Sequence, residues 1–318
     1  MQEISSNISS QALANVQTLA EKVNAYGRKG LEGAINTQRA YRADLKHFNT
    51  WCESQQISIM PASASTLSAY AAHLADTHKW ASINRRFAAI KKLHELNDVT
   101  LPTQDRQFRA VMEGIKRVKG IRQQQAPAFN IKEIKNVLRA IESNTNTSLR
   151  NKAILLLGFT GAFRRSELVA LNIEDLTFSE EGLIVSMQSS KTNQYGDCEE
   201  KAIFYSPETA LCPVRTLQTW ISTLARDTGP LFVRIRKGDQ LSQERLSDKT
   251  VNDLVKKNLG EKYSAHSLRA SFITIAKLNG ADDSEVMRQT KHKTSAMIIR
   301  YTRLENIKQH NAAMKLGL

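Results

Sequence analysis

The sequence predicts a mainly α protein of two domains, a helical bundle followed by a mixed, mostly α domain with a small antiparallel β-sheet. Three observations lead to this prediction. The chain has 318 residues, enough for two domains that each bury a core without disulfides or metal. Apolar residues recur at helical spacing through the first 120 residues. After residue 130, short β-like runs appear among helical segments.

The first domain is predicted from three segments whose apolar residues recur at the spacing of one helix face. Such amphipathic helices must share a core, because none of them buries its apolar face alone. The segments contain Tyr41, Leu45, Phe48 and Cys52, then Leu67, Tyr70, Ala71 and Leu74, and finally Ile83, Phe87 and Ile90. We therefore expect a small helical bundle over residues 1–120.

A linker is predicted where this periodicity stops. Residues 119–130, KGIRQQQAPAFN, combine Gly, a Gln run and Pro without an apolar face. We place the linker at residues 121–130 and the second domain at residues 131–318.

The second domain begins with helical patterns near residues 131–143 and 148–159. Three runs of β-forming residues follow, and helical patterns continue from there to the end of the chain. The runs are Leu183–Met187, Ala202–Tyr205 and Leu231–Arg234. A small sheet within a mostly helical domain is the arrangement that this order predicts.

The charge of the chain favours a polyanionic partner. Lys and Arg number 45 against 31 Asp and Glu, which gives a net charge of +14 and a pI near 9.7. The excess is shared by both halves of the chain, as in a protein that closes on a nucleic acid from two sides. Nucleic acid is therefore the first partner to consider.

Membrane, secreted and metal-binding classes are disfavoured. The longest apolar run, residues 153–159, is far shorter than the roughly 18 residues of a spanning helix. The start, MQEISSNISS, has no basic region followed by an apolar stretch, so we expect a cytoplasmic protein. Cys52, Cys198 and Cys212 are scattered and lack CxxC spacing, which argues against a disulfide frame or a zinc site. No metal ion or other cofactor is expected.

Two basic stretches of the first domain are candidate contacts for DNA phosphates. They lie between residues 79 and 92 and between residues 106 and 122, and the second contains a single acidic residue, Glu113. The alternative interpretation is that these charges only solvate helix faces. The candidates are Lys79, Arg85, Arg86, Lys91, Lys92, Arg106, Arg109, Lys116 and Arg117.

Four segments of the second domain contain residues suited to phosphoryl chemistry: TGAFRRSELVAL, SSKTNQYG, AHSLRASF and TKHKTSAMIIRYTRL. In-line attack on a phosphodiester adds negative charge in the transition state. Guanidinium groups that hold the non-bridging oxygens therefore stabilise the transition state more than the ground state. Arg164 and Arg269 are the candidates for this role, and Glu167, three residues after Arg164, is expected to support the geometry.

The remaining candidates divide the nucleophile and proton-transfer roles. Tyr301 is the predicted nucleophile, and His266, three residues before Arg269, has a pKa range suited to a base. Lys191, between two β-like runs, is expected to protonate the leaving 5'-oxygen, and His292 to hydrogen-bond a non-bridging oxygen. Each residue alone has a structural interpretation, since His-x-x-Arg pairs and core tyrosines are common. Their ordered conjunction in a basic chain favours the catalytic interpretation.

Residues 155–305 resemble the tyrosine recombinase or phage integrase family. The family pattern is an Arg after a Gly, a hairpin Lys, a His-x-x-Arg and a His or Trp nine residues before a Tyr. Arg164, Lys191, His266 with Arg269, and His292 with Tyr301 match it in order and spacing. The helical first domain is similar to the family's core-binding domain only in size, helicity and charge.

This sequence departs from the family pattern at two places. Lys291 stands where the family often has Gly, and both Ala162 and Phe163 separate the Gly from the first Arg. We expect differently shaped turns there rather than inactivity.

The resemblance implies a clamp around double-stranded DNA and a 3'-phosphotyrosine intermediate without a high-energy cofactor. It also implies that the protein, a monomer or weakly associated when free, forms a homo-tetramer that exchanges strands through a Holliday junction. The tail after Tyr301, with apolar residues near a helical period, is expected to pack either on a neighbouring protomer or within its own chain.

Three other functions are weighed against recombination. A type IB topoisomerase uses similar chemistry without exchanging partners, but the compact chain and the spacing from His292 to Tyr301 favour recombination. A non-catalytic DNA-binding regulator derived from a recombinase is disfavoured by the complete set of catalytic side chains. An RNA-binding protein would be expected to show aromatic stacking platforms, and aromatic residues make up only 6% of the chain.

Overall fold

A computed structural model describes residues 35–121, 125–187 and 199–298 of the chain. The described residues form two compact units, which divide between residues 121 and 125. The predicted mainly α fold class is confirmed. Among the described residues, no helix combines the length and the apolar character needed to cross a bilayer.

The first unit consists of four described helices: α1 (Ile35–Ser54), α2 (Ala64–Thr77), α3 (Trp80–Glu95) and α4 (Arg106–Lys119). Their apolar faces meet in one core. Phe48, Leu67, Tyr70, Leu74 and Ile83 are almost fully buried there, as the helical spacing predicted. Two helices begin at side-chain caps, where Ser63 and Asp105 accept backbone N–H groups of the first turn.

An ion pair with a buried carboxylate joins α1 to α3. Asp44 is only 2% exposed although it lies on a helix whose other buried side chains are apolar. Arg85 binds both of its carboxylate oxygens, with Nε and Nη2 each at 2.9 Å. Arg86 approaches the same carboxylate at 3.8 Å and also donates to the Tyr70 hydroxyl at 3.3 Å. Removing these partners would leave an uncompensated buried carboxylate, which is strongly destabilising.

The second unit contains seven helices among its described residues and two antiparallel sheets. The helices are α5 (Ile131–Ala140), α6 (Asn146–Thr160), α7 (Arg165–Ala170), α8 (Pro213–Leu224), α9 (Asp248–Leu259), α10 (Ala265–Leu278) and α11 (Asp283–Thr290). The strands are β1 (Leu176–Phe178), β2 (Gly182–Met187), β3 (Glu199–Phe204), β4 (Val233–Arg236) and β5 (Gln240–Arg245). The second half of helix α6, residues 153–159, is apolar on all sides and packs in the core of the unit.

The three-stranded sheet has the order β1-β2-β3, and β4 pairs with β5 in a separate hairpin. In the first sheet, Val185 of β2 lies opposite Lys201 of β3, and Leu183 lies opposite Ile203. These four residues share the buried face of the two strands. The register therefore places a lysine on the inner face of the sheet.

The predicted linker is longer than the structure allows. Phe129 is buried in the core of the second unit, and its backbone N–H donates to the hydroxyl of Ser271 at 2.8 Å. Asn130 caps α5 by accepting from the backbone N–H of Glu133. Residues 129 and 130 consequently belong to the second unit, because an aromatic side chain that enters a core fixes the backbone on either side of it.

Candidate active site

A tight turn at the end of α6 positions Arg164. Ala162 adopts a left-handed conformation with φ of 47°, and the chain then enters α7 with Arg164 as its N-cap. The ring of Phe163 folds back onto Gly161 so closely that a Cβ there would lie 2.2 Å from it. The extra residue before Arg164 is thus accommodated by a turn that only glycine fits at its first position.

Glu167 holds Arg164 in place. One of its carboxylate oxygens accepts the backbone N–H of Arg164 at 2.9 Å, and the other contacts the guanidinium Nη1. The carboxylate is buried, whereas the Arg164 side chain stays partly exposed. Glu167 therefore contacts both the backbone and the side chain of Arg164, and the guanidinium group is still reachable from solvent.

Arg269 contacts the turn that positions Arg164. Its side chain belongs to α10 and is about 1% exposed. Nη1 donates to the carbonyl oxygen of Ala162 at 2.7 Å, and Nη2 donates to the carbonyl oxygen of Thr290 at the end of α11. Arg269 thereby connects three segments that are distant in the sequence.

The histidines are kept neutral by their surroundings. His266 reaches solvent, yet its partial burial, followed by the charges of Arg269 and Arg164, lowers its pKa. His292 is 7% exposed, and burial, aided by the same arginines, lowers its pKa to about 3. The contacts of Arg269 connect these groups: it lies three residues after His266 on α10, and it donates to the carbonyls of Ala162, two residues before Arg164, and Thr290, two residues before His292.

The hydrogen bonds of Thr290 fix the proton on the ring of His292. The Thr290 hydroxyl donates its only proton to the carbonyl oxygen of Val286 at 2.7 Å. Its oxygen must then accept from Nδ1 of His292, which lies 3.0 Å away. A neutral ring with its proton on Nδ1 has none on Nε2. Nε2 therefore becomes a donor only when the ring takes up a second proton.

Lys291 explains one departure from the family pattern. It ends α11 in the left-handed conformation, with φ of 54° and ψ of 39°. This is the conformation that glycine adopts without steric cost, and it costs another residue roughly 1 kcal/mol. The lysine therefore follows the same path as a glycine would, and His292 still enters the site.

The structure thus brings together Arg164, Glu167, His266, Arg269 and His292, which the sequence predicted as one site. Lys191 and Tyr301 lie outside the described residues, as does the tail that follows Tyr301. No three His, Cys, Asp or Glu side chains of the described ranges are grouped as metal ligands.

One residue at this site was not predicted. Lys201 of β3 is fully buried beside Glu167, and burial lowers its pKa to about 7. Its position in the strand alternation, two residues before the buried Ile203, was the available signal. A single lysine in a short polar run is ordinarily interpreted as exposed, and that interpretation is wrong here.

The candidate DNA contacts of the first unit differ in exposure. Arg86 is only 12% exposed, which makes it a poor candidate for a direct phosphate contact in this structure. Its packing against Tyr70 and His78 gives it a structural role within the unit. Lys92 and Lys116 are partly buried, and the others are exposed: Lys79, Arg85, Lys91, Arg106, Arg109 and Arg117.

Comparison with protein families covers both units. A model described as the phage integrase family matches residues 128–307, and one described as the phage integrase N-terminal SAM-like domain matches residues 31–96. An integrase/recombinase XerD homologue of Selenomonas ruminantium is 36% identical over 307 residues, 93% of this chain and 90% of that protein. The tyrosine recombinase XerD of Lacticaseibacillus casei is 26% identical over 294 residues, 88% of this chain and 91% of that protein.

Two solved structures share the fold. The XerH site-specific recombinase in a post-cleavage complex with palindromic difH substrate has a TM-score of 0.59 at 17% identity, over 89% of this chain and 80% of that one. The Tn1549 transposon integrase in complex with transposon right end DNA has a TM-score of 0.60 at 15% identity, over 92% of this chain and 98% of that one.

Proposed function

The chain belongs to the phage integrase family, and on this premise we propose that it is a site-specific tyrosine recombinase that cuts and rejoins DNA through a 3'-phosphotyrosine. The observation that carries the proposal is the convergence of Arg164 and Arg269 with His266 and His292, which the hydrogen bonds of Arg269 and Thr290 connect. Two guanidinium groups beside two neutral imidazoles suit an anion that gains charge during reaction. The XerH and Tn1549 proteins, in their solved complexes, are bound to DNA substrates.

The proposed cleavage step is a transesterification. The phenolic oxygen of Tyr301 attacks the phosphorus, and the bond from phosphorus to the 5'-oxygen breaks. His266, neutral at pH 7 because its pKa is lowered, accepts the phenolic proton. Lys191 donates a proton to the leaving 5'-oxygen. One phosphodiester replaces another, so rejoining needs no external energy source.

The two arginines and His292 act on the non-bridging oxygens in this proposal. Arg164, which is partly exposed, binds the phosphate directly, and the buried Arg269 adds positive charge beside it. His292 donates from Nε2 once its ring is doubly protonated. The charge of a bound phosphate raises the pKa of that ring from its low value in the DNA-free protein.

Strand exchange would require a synapse of two DNA duplexes. We extend the proposal to a homo-tetramer on DNA that exchanges strands through a Holliday junction. The alternative is that a single protomer relaxes supercoiled DNA without exchanging strands, as a type IB topoisomerase does. A plasmid carrying two copies of the native target site separates the two, because recombination changes the restriction pattern and relaxation changes only the linking number.

Substitution of Lys191 is expected to produce a defect that depends on the leaving group. Lys191→Ala should slow cleavage of an ordinary phosphodiester much more than cleavage of a substrate with sulfur at the 5'-bridging position. A thiolate leaves without a proton, so loss of a general acid matters little there. Single-turnover rates on the two substrates measure the effect. Equal defects on both would remove Lys191 from the role of acid.

Affinity for duplex DNA is expected to fall steeply with salt, because phosphate contacts dominate it. Replacing Lys91 and Lys92 by Ala should lower the slope of log affinity against log salt by about 1 to 2. Lys237→Ala, which removes an exposed lysine outside the two basic stretches, is the control and should leave the slope unchanged. An unchanged slope in the double variant would mean that these lysines only solvate the helix.

Arg85 and Arg86 are unsuitable for the same experiment. Both arginines neutralise the buried Asp44, so their replacement would weaken the fold of the first unit together with any DNA contact. The lysine pair avoids this problem because its partner, Glu95, is an exposed residue of the same helix.

A further inference from the structure

We infer that Lys201 is a positioning residue of the active site, whose buried ammonium group holds the turn that carries Arg164. The inference rests on the proposed function and adds to it a residue outside the family pattern of Arg, Lys, His and Tyr. It depends on contacts among described residues of the second unit.

Lys201 reaches the turn from the sheet. Its Nζ donates to the carbonyl oxygen of Gly161 at 2.8 Å and approaches that of Ala162 at 3.4 Å. The Ala162 carbonyl also accepts from Nη1 of Arg269 at 2.7 Å. Two cations thus share one carbonyl of the turn from which Arg164 emerges. A shift of this carbonyl would therefore displace Arg164 and Arg269 together.

Lys201 also shares Glu167 with Arg164. Its Nζ lies 3.9 Å from Oε2 of Glu167, the oxygen that accepts the backbone N–H of Arg164. A second cation beside the carboxylate offsets part of its charge, which leaves Arg164 less fully neutralised. The phosphate-binding arginine consequently keeps more of its positive charge for a substrate anion.

The burial of Lys201 is unfavourable by itself, which argues against a role in stability alone. The side chain is fully buried, and its Nζ lies 4.4 Å from the centre of the Phe163 ring. An apolar side chain of similar length would fill this space without the cost of desolvating an ammonium group. A charge kept at such a place is more readily explained by the site that it supports.

Burial and the neighbouring charges determine the pKa of Lys201. Burial is the largest influence and lowers its pKa to about 7, while Glu167 opposes that change. The positive groups that lower its pKa further are Arg269, Arg164 and Lys291. The charge of Lys201 in turn helps to lower the pKa of the neutral His292. A phosphate bound by the arginines adds negative charge and favours the protonated lysine.

The experiment replaces Lys201 by Met in the full-length protein, which removes the charge and keeps the length. Lys152→Met is the matched control. Lys152 is also buried, donates to a single backbone carbonyl, that of Ile141 at 3.2 Å, and has a pKa lowered by burial. The readouts are the single-turnover rate of covalent adduct formation on saturating half-site DNA, the affinity for that DNA and the unfolding midpoint.

Lys201→Met is expected to lower the rate about 100-fold, because a small displacement of positioned groups has effects of this order. DNA affinity and the unfolding midpoint should change little, and Lys152→Met should cleave like the wild type. Such a division between rate and affinity is not produced by a purely structural role.

Other outcomes would contradict the inference or the proposed function, and they can be told apart. A wild-type rate in Lys201→Met overturns the inference and leaves the proposed function intact. Absence of an adduct from the wild type on its native target overturns the proposed function itself, and the inference with it. If Lys201→Met does not fold, Lys201→Arg and Lys201→Gln replace it. Cleavage that is faster in Lys201→Arg than in Lys201→Gln supports the inference, because only arginine keeps the charge. Equal rates in these two variants overturn it.

Discussion

Tyr301→Phe is expected to abolish the covalent protein–DNA adduct while DNA binding remains. The substitution keeps the ring and removes only the oxygen that attacks phosphorus in the proposed step. A half-site nicked just beyond the cleavage position provides the substrate, because the short fragment diffuses away and rejoining is prevented. The adduct then accumulates and is measured as DNA-linked protein that survives denaturation. Its peptide map should place the 3'-phosphate on Tyr301.

The matched control for this variant is Tyr205→Phe. Tyr205 follows strand β3, contacts Arg215 through its ring and lies outside the predicted constellation. It should form the adduct at the wild-type rate. An adduct that persists in Tyr301→Phe, or none from the wild type on its native target, would contradict the assignment of the nucleophile.

Arg164→Ala is expected to slow cleavage by about 10² to 10³-fold or more, since it removes a charged donor aimed at the transition state. This arginine is a better choice for the experiment than Arg269. Arg269 is almost fully buried and donates to two backbone carbonyls, so its loss would also weaken the fold. Arg164 is partly exposed, and in its alanine variant the buried Glu167 carboxylate still has Lys201 beside it at 3.9 Å, so we expect this variant to stay folded and bound to DNA.

Arg165→Ala is the control for the neighbouring position. Arg165 is an exposed arginine one residue further along, which pairs with Asp248 at 3.1 Å. Its removal should leave the cleavage rate unchanged. A methylphosphonate at the cleavage position adds a further comparison, because it carries no charge and needs less compensation from Arg164. The defect of Arg164→Ala should shrink on this substrate, and an equal defect on both would argue against charge stabilisation.

The helices of the first unit could be predicted because the apolar spacing repeats over whole helices. Phe48, Leu67, Leu74 and Ile83 are buried as that spacing requires. Asp44 lies on the same buried side of α1 and breaks the pattern. Its partner Arg85 is 41 residues away, and no local rule joins them. Arg86 was consequently named as a candidate phosphate contact, although it packs beside the same carboxylate.

The short strands could be predicted only in part. Strand β2 is apolar and was predicted almost to its ends, whereas β1 has three residues and β5 is the polar QLSQER. Neither offers the alternation on which strand prediction depends. Leu231 and Phe232 were assigned to a strand that begins at Val233. The linker prediction extended to residue 130 because a lone Phe129 after Pro gives no periodic signal, although it enters the core.

The candidate site could be proposed from the sequence because its residues lie in short motifs with a fixed order and spacing. The chemical roles of these residue types are visible within each motif. Lys201 was missed because its role depends on the pairing of β3 with β2 and on the turn at Gly161. Both are long-range relations that a single sequence does not display. The left-handed Lys291 was likewise visible only as a departure from the family pattern.

The position of Arg269 couples chemistry to the integrity of the second unit. Its guanidinium joins the Ala162 turn, 107 residues earlier in the chain, to the end of α11, 21 residues later. Such contacts close long loops, so they exist only when these distant segments of the unit are packed together. A nascent, misfolded or proteolysed chain therefore lacks an assembled phosphate site. We therefore expect the proposed cleavage to require a second unit that is folded throughout, and not only the segments next to the nucleophile.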